Sequence, residues 1–177
     1  TGVINNQGAY FFLDTHVQDD PTAEQIAEAT LQATYRLKLF GIEPKVALLS
    51  HSNFGSHDTP GAQKMRKVRE LLKQRMPKLE VDGEMQGDTA WDEVLRKRMM
   101  PNTTLNGRAN LFVLPNIDAA NITYNMVRVM TDGVAIGPIL MGISKPVHIL
   151  TSSATPRRVV NMTAIAAVDA QIRAQQK

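Results

Sequence analysis

An α/β fold in three layers, with a mainly parallel sheet covered by helices on both faces, is what this sequence predicts. Two patterns carry that expectation. Short apolar runs of strand length alternate with longer stretches of helical periodicity, and the turns between them are rich in small and polar residues. A third observation is size. The 177 residues, 43% of them hydrophobic, suffice for one core, and no fixed repeat, low-complexity tract or linker divides them, so the chain reads as a single unit over 1–177.

The first strand is the run Gly8-Ala9-Tyr10-Phe11-Phe12-Leu13-Asp14, and Lys45-Val46-Ala47-Leu48-Leu49-Ser50 is another. A helix lies between them. Thr22 and Gln25 have the spacing of a capping box, Ile26, Ala29, Ala33, Leu37 and Phe40 form the apolar stripe, and Gly41 with Pro44 beyond it ends the helix. The alternation continues with a helix over 60–76, in which Met65, Val68 and Leu72 recur between basic residues, and a strand at 79–82. Next come a helix over 89–99, a strand at 109–114 and a helix over 119–130. The apolar segment 134–140, a strand at 147–150 and a last helix over 156–174 complete the pattern.

In open α/β sheets ligands gather beyond the carboxyl ends of the strands, which directs attention to four turns. The first, Ser50-His51-Ser52-Asn53-Phe54-Gly55-Ser56-His57-Asp58-Thr59-Pro60, is rich in hydroxyls and feeds a helix start. It fits either an anion cradle or an ordinary loop capped by Thr59. Ser50 and His51 are neighbours on a strand and point to opposite faces, so they are poorly placed as a nucleophile and base. In the second, Asp82, Glu84 and Asp88 suit a magnesium site or an acid–base pair, or else a turn whose Asp88 caps the next helix. The third, around Pro115-Asn116, offers Asp118 as a cap. The fourth, Thr151-Ser152-Ser153-Ala154-Thr155-Pro156-Arg157-Arg158, places two arginines in the first turn of a helix. Cations oppose the helix dipole there, so the pair points to a phosphate or pyrophosphate, with a solvated cap as the other reading.

Other chemistries are excluded. Zero cysteines rule out disulfides and sulfur-based zinc sites, and fit a reducing compartment such as the cytoplasm. The four histidines lack metal-ligand spacing, and neither a nicotinamide fingerprint nor a P-loop is present. A net charge of +3, with acidic residues interleaved among basic ones and no aromatic ladder, gives no support to nucleic-acid binding. Gly137, Pro138 and Gly142 break the longest apolar stretch, so no membrane span is expected.

Taken in order, Val46-Ala47-Leu48-Leu49-Ser50, Ser52, Gly55-Ser56, Lys64, Val81-Asp82-Gly83-Glu84-Met85-Gln86, Asp88, Pro115-Asn116, Ala120-Asn121, Gly137-Pro138-Ile139-Leu140, Gly142, Lys145-Pro146-Val147 and Val160-Asn161 resemble the phosphate acetyltransferase and butyryltransferase family. The openings Asn5-Asn6-Gln7-Gly8-Ala9-Tyr10 and Gly41-Ile42-Glu43-Pro44, with Ser52-Asn53-Phe54-Gly55-Ser56, look most like the C-terminal domain of the large bacterial NADP-dependent malic enzymes. The resemblance implies a phosphotransacetylase-like fold within the isocitrate and isopropylmalate dehydrogenase-like superfold. The chain would be its second subdomain, a fragment whose terminal helix over 155–177 packs on the first. The same resemblance implies NADP and a divalent metal in the malic-enzyme part of the chain, and acetyl-CoA as an inhibitor acting on this part.

The chain departs from the family where catalysis is placed. Aligned without gaps from Lys145-Pro146-Val147, the family's serine falls on Thr151, its arginine on Ser152, and the aspartate thought to deprotonate the CoA thiol on Arg158. A guanidinium cannot serve as that base. The expected function is therefore a catalytically silent, acetyl-CoA-responsive regulatory and oligomerising domain, forming homo-oligomers and binding neither nucleic acid nor membrane. Its ligand contacts would be Ser52, Ser56, Thr151, Ser152, Arg157 and Arg158. The alternatives are a working phosphate acetyltransferase, with Ser50 or Thr151 and Asp82 or Glu84 replacing the lost groups, and a purely structural oligomerisation module.

Overall fold

The computed structural model describes residues 1–150, 152 and 154–175. Six strands, β1 (Gly2–Asn5), β2 (Gly8–Leu13), β3 (Lys45–Leu49), β4 (Glu80–Met85), β5 (Leu111–Val113) and β6 (Val134–Ile136), form one sheet in the order β4-β3-β5-β2-β1-β6. The helices are α1 (Ala23–Leu39), α2 (Pro60–Arg75), α3 (Gly87–Trp91), α4 (Glu93–Met99), α5 (Ile117–Met130) and α6 (Pro156–Gln175). The pairs β3/β4, β3/β5 and β2/β5 are parallel; β1/β2 and β1/β6 are antiparallel.

Side-chain alternation along the strands divides the core into two layers. Phe11, Leu13, Val46, Leu48, Leu111 and Val113 face α1 and α2, where Ile26, Leu37, Met65, Val68 and Leu72 cover them. Tyr10, Phe12, Ala47, Leu49 and Phe112 face the other way, onto Ala90 of α3 and Ala120 and Tyr124 of α5. These runs are apolar throughout because both faces of the sheet are covered, so the three-layer expectation holds. The stripe predicted for α2 is its buried face. At the start of α1, Thr22 and Gln25 form the capping box from both directions.

Five local expectations are corrected. The stretch 89–99 forms two helices rather than one, because the Asp92 carboxylate accepts from the backbone N–H groups of Val94 and Leu95 and starts a new helix. Asn116, not Asp118, caps α5 by accepting from Ala119 N at 2.9 Å. Asp88 lies in the first turn of α3 instead of capping it. Residues 147–150 form no strand: Pro146 precedes them, and Val147 and Ile149 turn outward. Finally, β1 and β6 add an antiparallel edge that the apolar pattern did not separate out.

Candidate functional site

The loop after β3 turns inward. Ser52 is completely buried, and its hydroxyl donates to Glu84 Oε1 at 2.7 Å. Gly55 N at 2.8 Å and Arg66 Nη1 at 3.0 Å donate to the same oxygen. Ser56 Oγ accepts from Asn53 N at 2.9 Å, closing the loop on itself, and Thr59 caps α2. Donors that an anion cradle would offer to a ligand are thus already bound to a protein carboxylate. Glu84 reaches them through an irregularity in the β3/β4 register, where Leu48 pairs with Gly83 and Leu49 with Met85. Gly83 permits this with φ +138°; a Cβ there would lie 2.5 Å from the Leu48 carbonyl oxygen.

Asp82 is likewise occupied. Its Oδ2 accepts from Thr103 Oγ1 and Thr104 N, both at 2.8 Å, and Arg69 Nε stands 2.9 Å from Oδ1. The two carboxylates at i and i+2 therefore tie α2 and the segment after α4 to the strand. Among the described residues no group of three histidine, aspartate or glutamate side chains is placed to hold a metal ion.

A different region is open. At the other end of the sheet, beyond β2, a cleft of about 330 Å³ is lined by His16, Val17, Tyr124, Asn125, Arg128, Pro138, Leu140, Ile149 and Arg158. Arg158 enters from the first turn of α6 and donates through Nε at 3.2 Å and Nη2 at 2.8 Å to the Gly137 carbonyl. Arg128 lies on the wall made by α5, its guanidinium carbon 5.8 Å from the Tyr124 ring centre. Among the described residues no carboxylate lines this cleft. Burial first, and then neighbouring positive charge including Arg158, holds the His16 ring below the usual histidine pKa. Among the described residues the buried Tyr124 hydroxyl has no hydrogen-bond partner, an arrangement that costs about 1–3 kcal/mol in a closed protein.

The structure thus separates the sequence-predicted contacts. Ser52 and Ser56 sit beside β3 and β4, whereas Arg158 lies beyond β2, with β5 intervening. Arg157 and Ser152 are exposed and Thr151 lies outside the described residues. Sequence reasoning missed Tyr124, Arg128, Asn125 and His16, which come together only through the fold. The signal available was spacing: Tyr124 and Arg128 are four apart on one helix and share a side.

The phosphate acetyl/butaryl transferase family model matches residues 2–167. The chain belongs to this family. Within it, the NADP-dependent malic enzyme of Escherichia coli is 54% identical over 165 residues, covering 93% of this chain and 22% of that protein. The NAD-dependent malic enzyme of Rhizobium meliloti is also 54% identical, over 94% of this chain and 22% of its own length. Among solved structures, the EutD phosphotransacetylase from Staphylococcus aureus superposes with a TM-score of 0.89 at 31% identity, over 96% of this chain and 52% of that one. The chain therefore spans about a fifth of the malic enzymes it resembles. Among the described residues no helix is long and apolar enough to cross a membrane.

Proposed function

We propose that this chain is the second subdomain of the phosphotransacetylase-like C-terminal part of a malic enzyme, and that it senses acetyl-CoA without catalysing acyl transfer. The observation that carries the reading is Arg158. Where the family places its carboxylate base, this chain has a guanidinium turned into a cleft that no carboxylate lines. A permanently protonated group accepts no proton from a thiol, yet it still attracts the phosphates of a coenzyme. Binding survives the exchange and the base does not.

In this reading Arg158 is the central contact, with Thr151, Ser152 and Arg157 on the adjoining turn, while Ser52 and Ser56 support the fold of the β3 loop. Malate oxidation, with NADP and a divalent metal, belongs to the rest of the chain, and the domain also holds the subunits of a cytoplasmic homo-oligomer together. Acetyl-CoA inhibits by binding the inactive state more tightly, with a coupling of about 1–3 kcal/mol. The test is malate oxidation by the intact protein in the presence of acetyl-CoA. Replacing Arg157 and Arg158 by alanine is expected to raise the concentration needed for inhibition at least several-fold while leaving the uninhibited rate alone. Unchanged inhibition would remove both arginines from the site, and conversion of acetyl-CoA and phosphate to acetyl phosphate would overturn the claim of catalytic silence.

A further inference from the structure

We propose that His51 and His57, on the loop between β3 and α2, chelate one divalent transition-metal ion of the zinc, copper or nickel kind. The site is independent of the acetyl-CoA reading. The four histidines have no ligand spacing in sequence, and it is the closure of this loop that brings two of them together.

The ring geometry fits a shared ion. The two imidazole centres lie 5.2 Å apart with their planes inclined by 49°. A bound ion lies ~2.1 Å from an imidazole nitrogen, hence roughly 3.2 Å from the ring centre, and two rings sharing it at a tetrahedral angle have centres roughly 5.2 Å apart. Both side chains are exposed, and among the described residues the His51 ring makes no hydrogen bond. It turns about its Cβ–Cγ bond, which redirects its nitrogens and hardly moves its centre.

The mount is rigid. Gln86 Nε2 donates to the His51 carbonyl at 2.7 Å. His57 N donates to Ser52 Oγ at 3.1 Å, and Arg66 Nη1 donates to the His57 carbonyl at 3.3 Å. Neighbours thus hold the backbone of each histidine while its ring reaches solvent, so little freedom is lost when the rings converge. Ser56 Oγ lies 3.1 Å from His57 Nδ1. Accepting from Nδ1–H, it fixes the tautomer whose Nε2 lone pair is free, which is the outer-shell support that metal-bound histidines use.

The charge favours a cation as well. Donors of this loop point inward to Glu84, and what it offers to solvent is imidazole, whose lone pair takes a metal. Arg66 is held between Asp58 and Glu84, one guanidinium against two carboxylates, so the excess charge beside the rings is negative. Neutral imidazole suits zinc, copper and nickel; magnesium takes oxygen ligands. Two protein nitrogens leave further positions to water, so the ion exchanges and is not locked into a closed structural centre.

The test is calorimetric titration of the intact protein with zinc at neutral pH, with excess magnesium filling the oxygen-ligand sites, for wild type, His51→Ala and His57→Ala. Wild type is expected to bind one zinc equivalent more tightly than either variant, by about tenfold or more. Circular dichroism should stay the same, because both rings are exposed. Electron paramagnetic resonance of bound copper is expected to show two imidazole nitrogens in wild type and one in each variant, a change that a merely structural role of the loop would not produce. Zinc binding that is the same in all three proteins overturns the site, as does a wild type that takes up no zinc. Loss in one variant alone means an adventitious ion on a single histidine and overturns the chelate. Inhibition by acetyl-CoA is untouched by any of these results, so the two readings fail separately.

Discussion

Arg96 and Tyr124 show how far a single buried polar group depends on the elements around it. Arg96 is completely buried, yet no carboxylate pairs with it. Its guanidinium donates to the carbonyls of Thr89 at 3.0 Å, Ala90 at 3.2 Å, Leu105 at 3.2 Å and Gly107. Those carbonyls lie in α3 and in the segment leading to β5, so one side chain pins both to α4. Burial lowers the Arg96 pKa, and the Glu93, Asp82 and Asp92 charges act against that shift. Truncation strips these carbonyls of their donor inside a fully buried site. Arg96→Ala is expected to destabilise the protein by about 3 kcal/mol or more, read as a lower midpoint in urea with unchanged secondary structure. Lysine is a poor substitute, because a point charge cannot reach four acceptors spread over a fork, and Arg96→Lys should recover only part of the loss. An Arg96→Ala midpoint equal to that of the wild type would mean that the carbonyls find other donors.

Among the elements, those legible in the sequence are the ones whose signal is local. The capping box of Thr22 and Gln25 fixes the start of α1, and Met65, Val68 and Leu72 announce the buried face of α2. What escaped was set by neighbours distant in sequence. Four residues of β1 and three of β6 are too short to show a period, and they become strands only because β1 pairs on both sides. Nothing local marks Ser52 as buried either, since its partner Glu84 arrives from another strand. Helix α6 is the extreme case. It is rich in valine and alanine, but Met162 and Asp169 are its only buried residues among those described, and its attachments are largely polar. Asp169 pairs with Arg36 of α1 and with Arg173, whose guanidinium also donates to the carbonyls of Ile143 and Ser144. Burial works to raise the Asp169 carboxyl, but hydrogen bonds from Arg173 and Arg36 and the charges of both arginines outweigh it and hold the pKa below the ordinary aspartate value. The folded pKa being the lower one, this contribution is complete above the unfolded value of about 4 and disappears as the pH falls through the folded one. Nearby His148 accepts from Leu140 N through Nδ1, and burial, then Arg36, keep its pKa below normal against the pull of Asp169. Its contribution therefore begins to decline below about pH 6.5. Urea unfolding across pH is expected to show two acid limbs, and Asp169→Asn should abolish the lower one and cost most at neutral pH. A lower limb that survives in Asp169→Asn would place the acid sensitivity elsewhere.

Across the whole molecule, the surface is larger than the mass warrants. The accessible area is 9551 Å², against roughly 8,600 Å² for a free-standing protein of 19.6 kDa. The surplus of roughly 1,000 Å² is comparable with the ~800 Å² that each partner contributes to a standard interface. Exposed large apolar side chains occur along much of the chain, and four of them share one side of a helix. On α5, Ile122 (62% exposed), Met126, Val129 (74%) and Met130 (75%) follow the i, i+4, i+7, i+8 spacing of one helix side. Such a stripe is self-complementary. Two copies of α5 crossing antiparallel about Met126 would set Ile122 of each opposite Met130 of the other, which is how an isologous contact closes without leaving a free patch. Methionine suits the role because it adapts its shape to the facing surface. This is the face on which we base the proposed homo-oligomer. It borders the α5–α6 cleft, since Asn125 and Arg128 belong to the same helix and line that cavity. Met126→Glu combined with Val129→Glu places charge at the centre of the contact and beside it, so the mass of the intact protein in solution is expected to fall while its circular dichroism stays the same. If the mass is unchanged in the double variant, the stripe is not the contact, and another surface holds the subunits together.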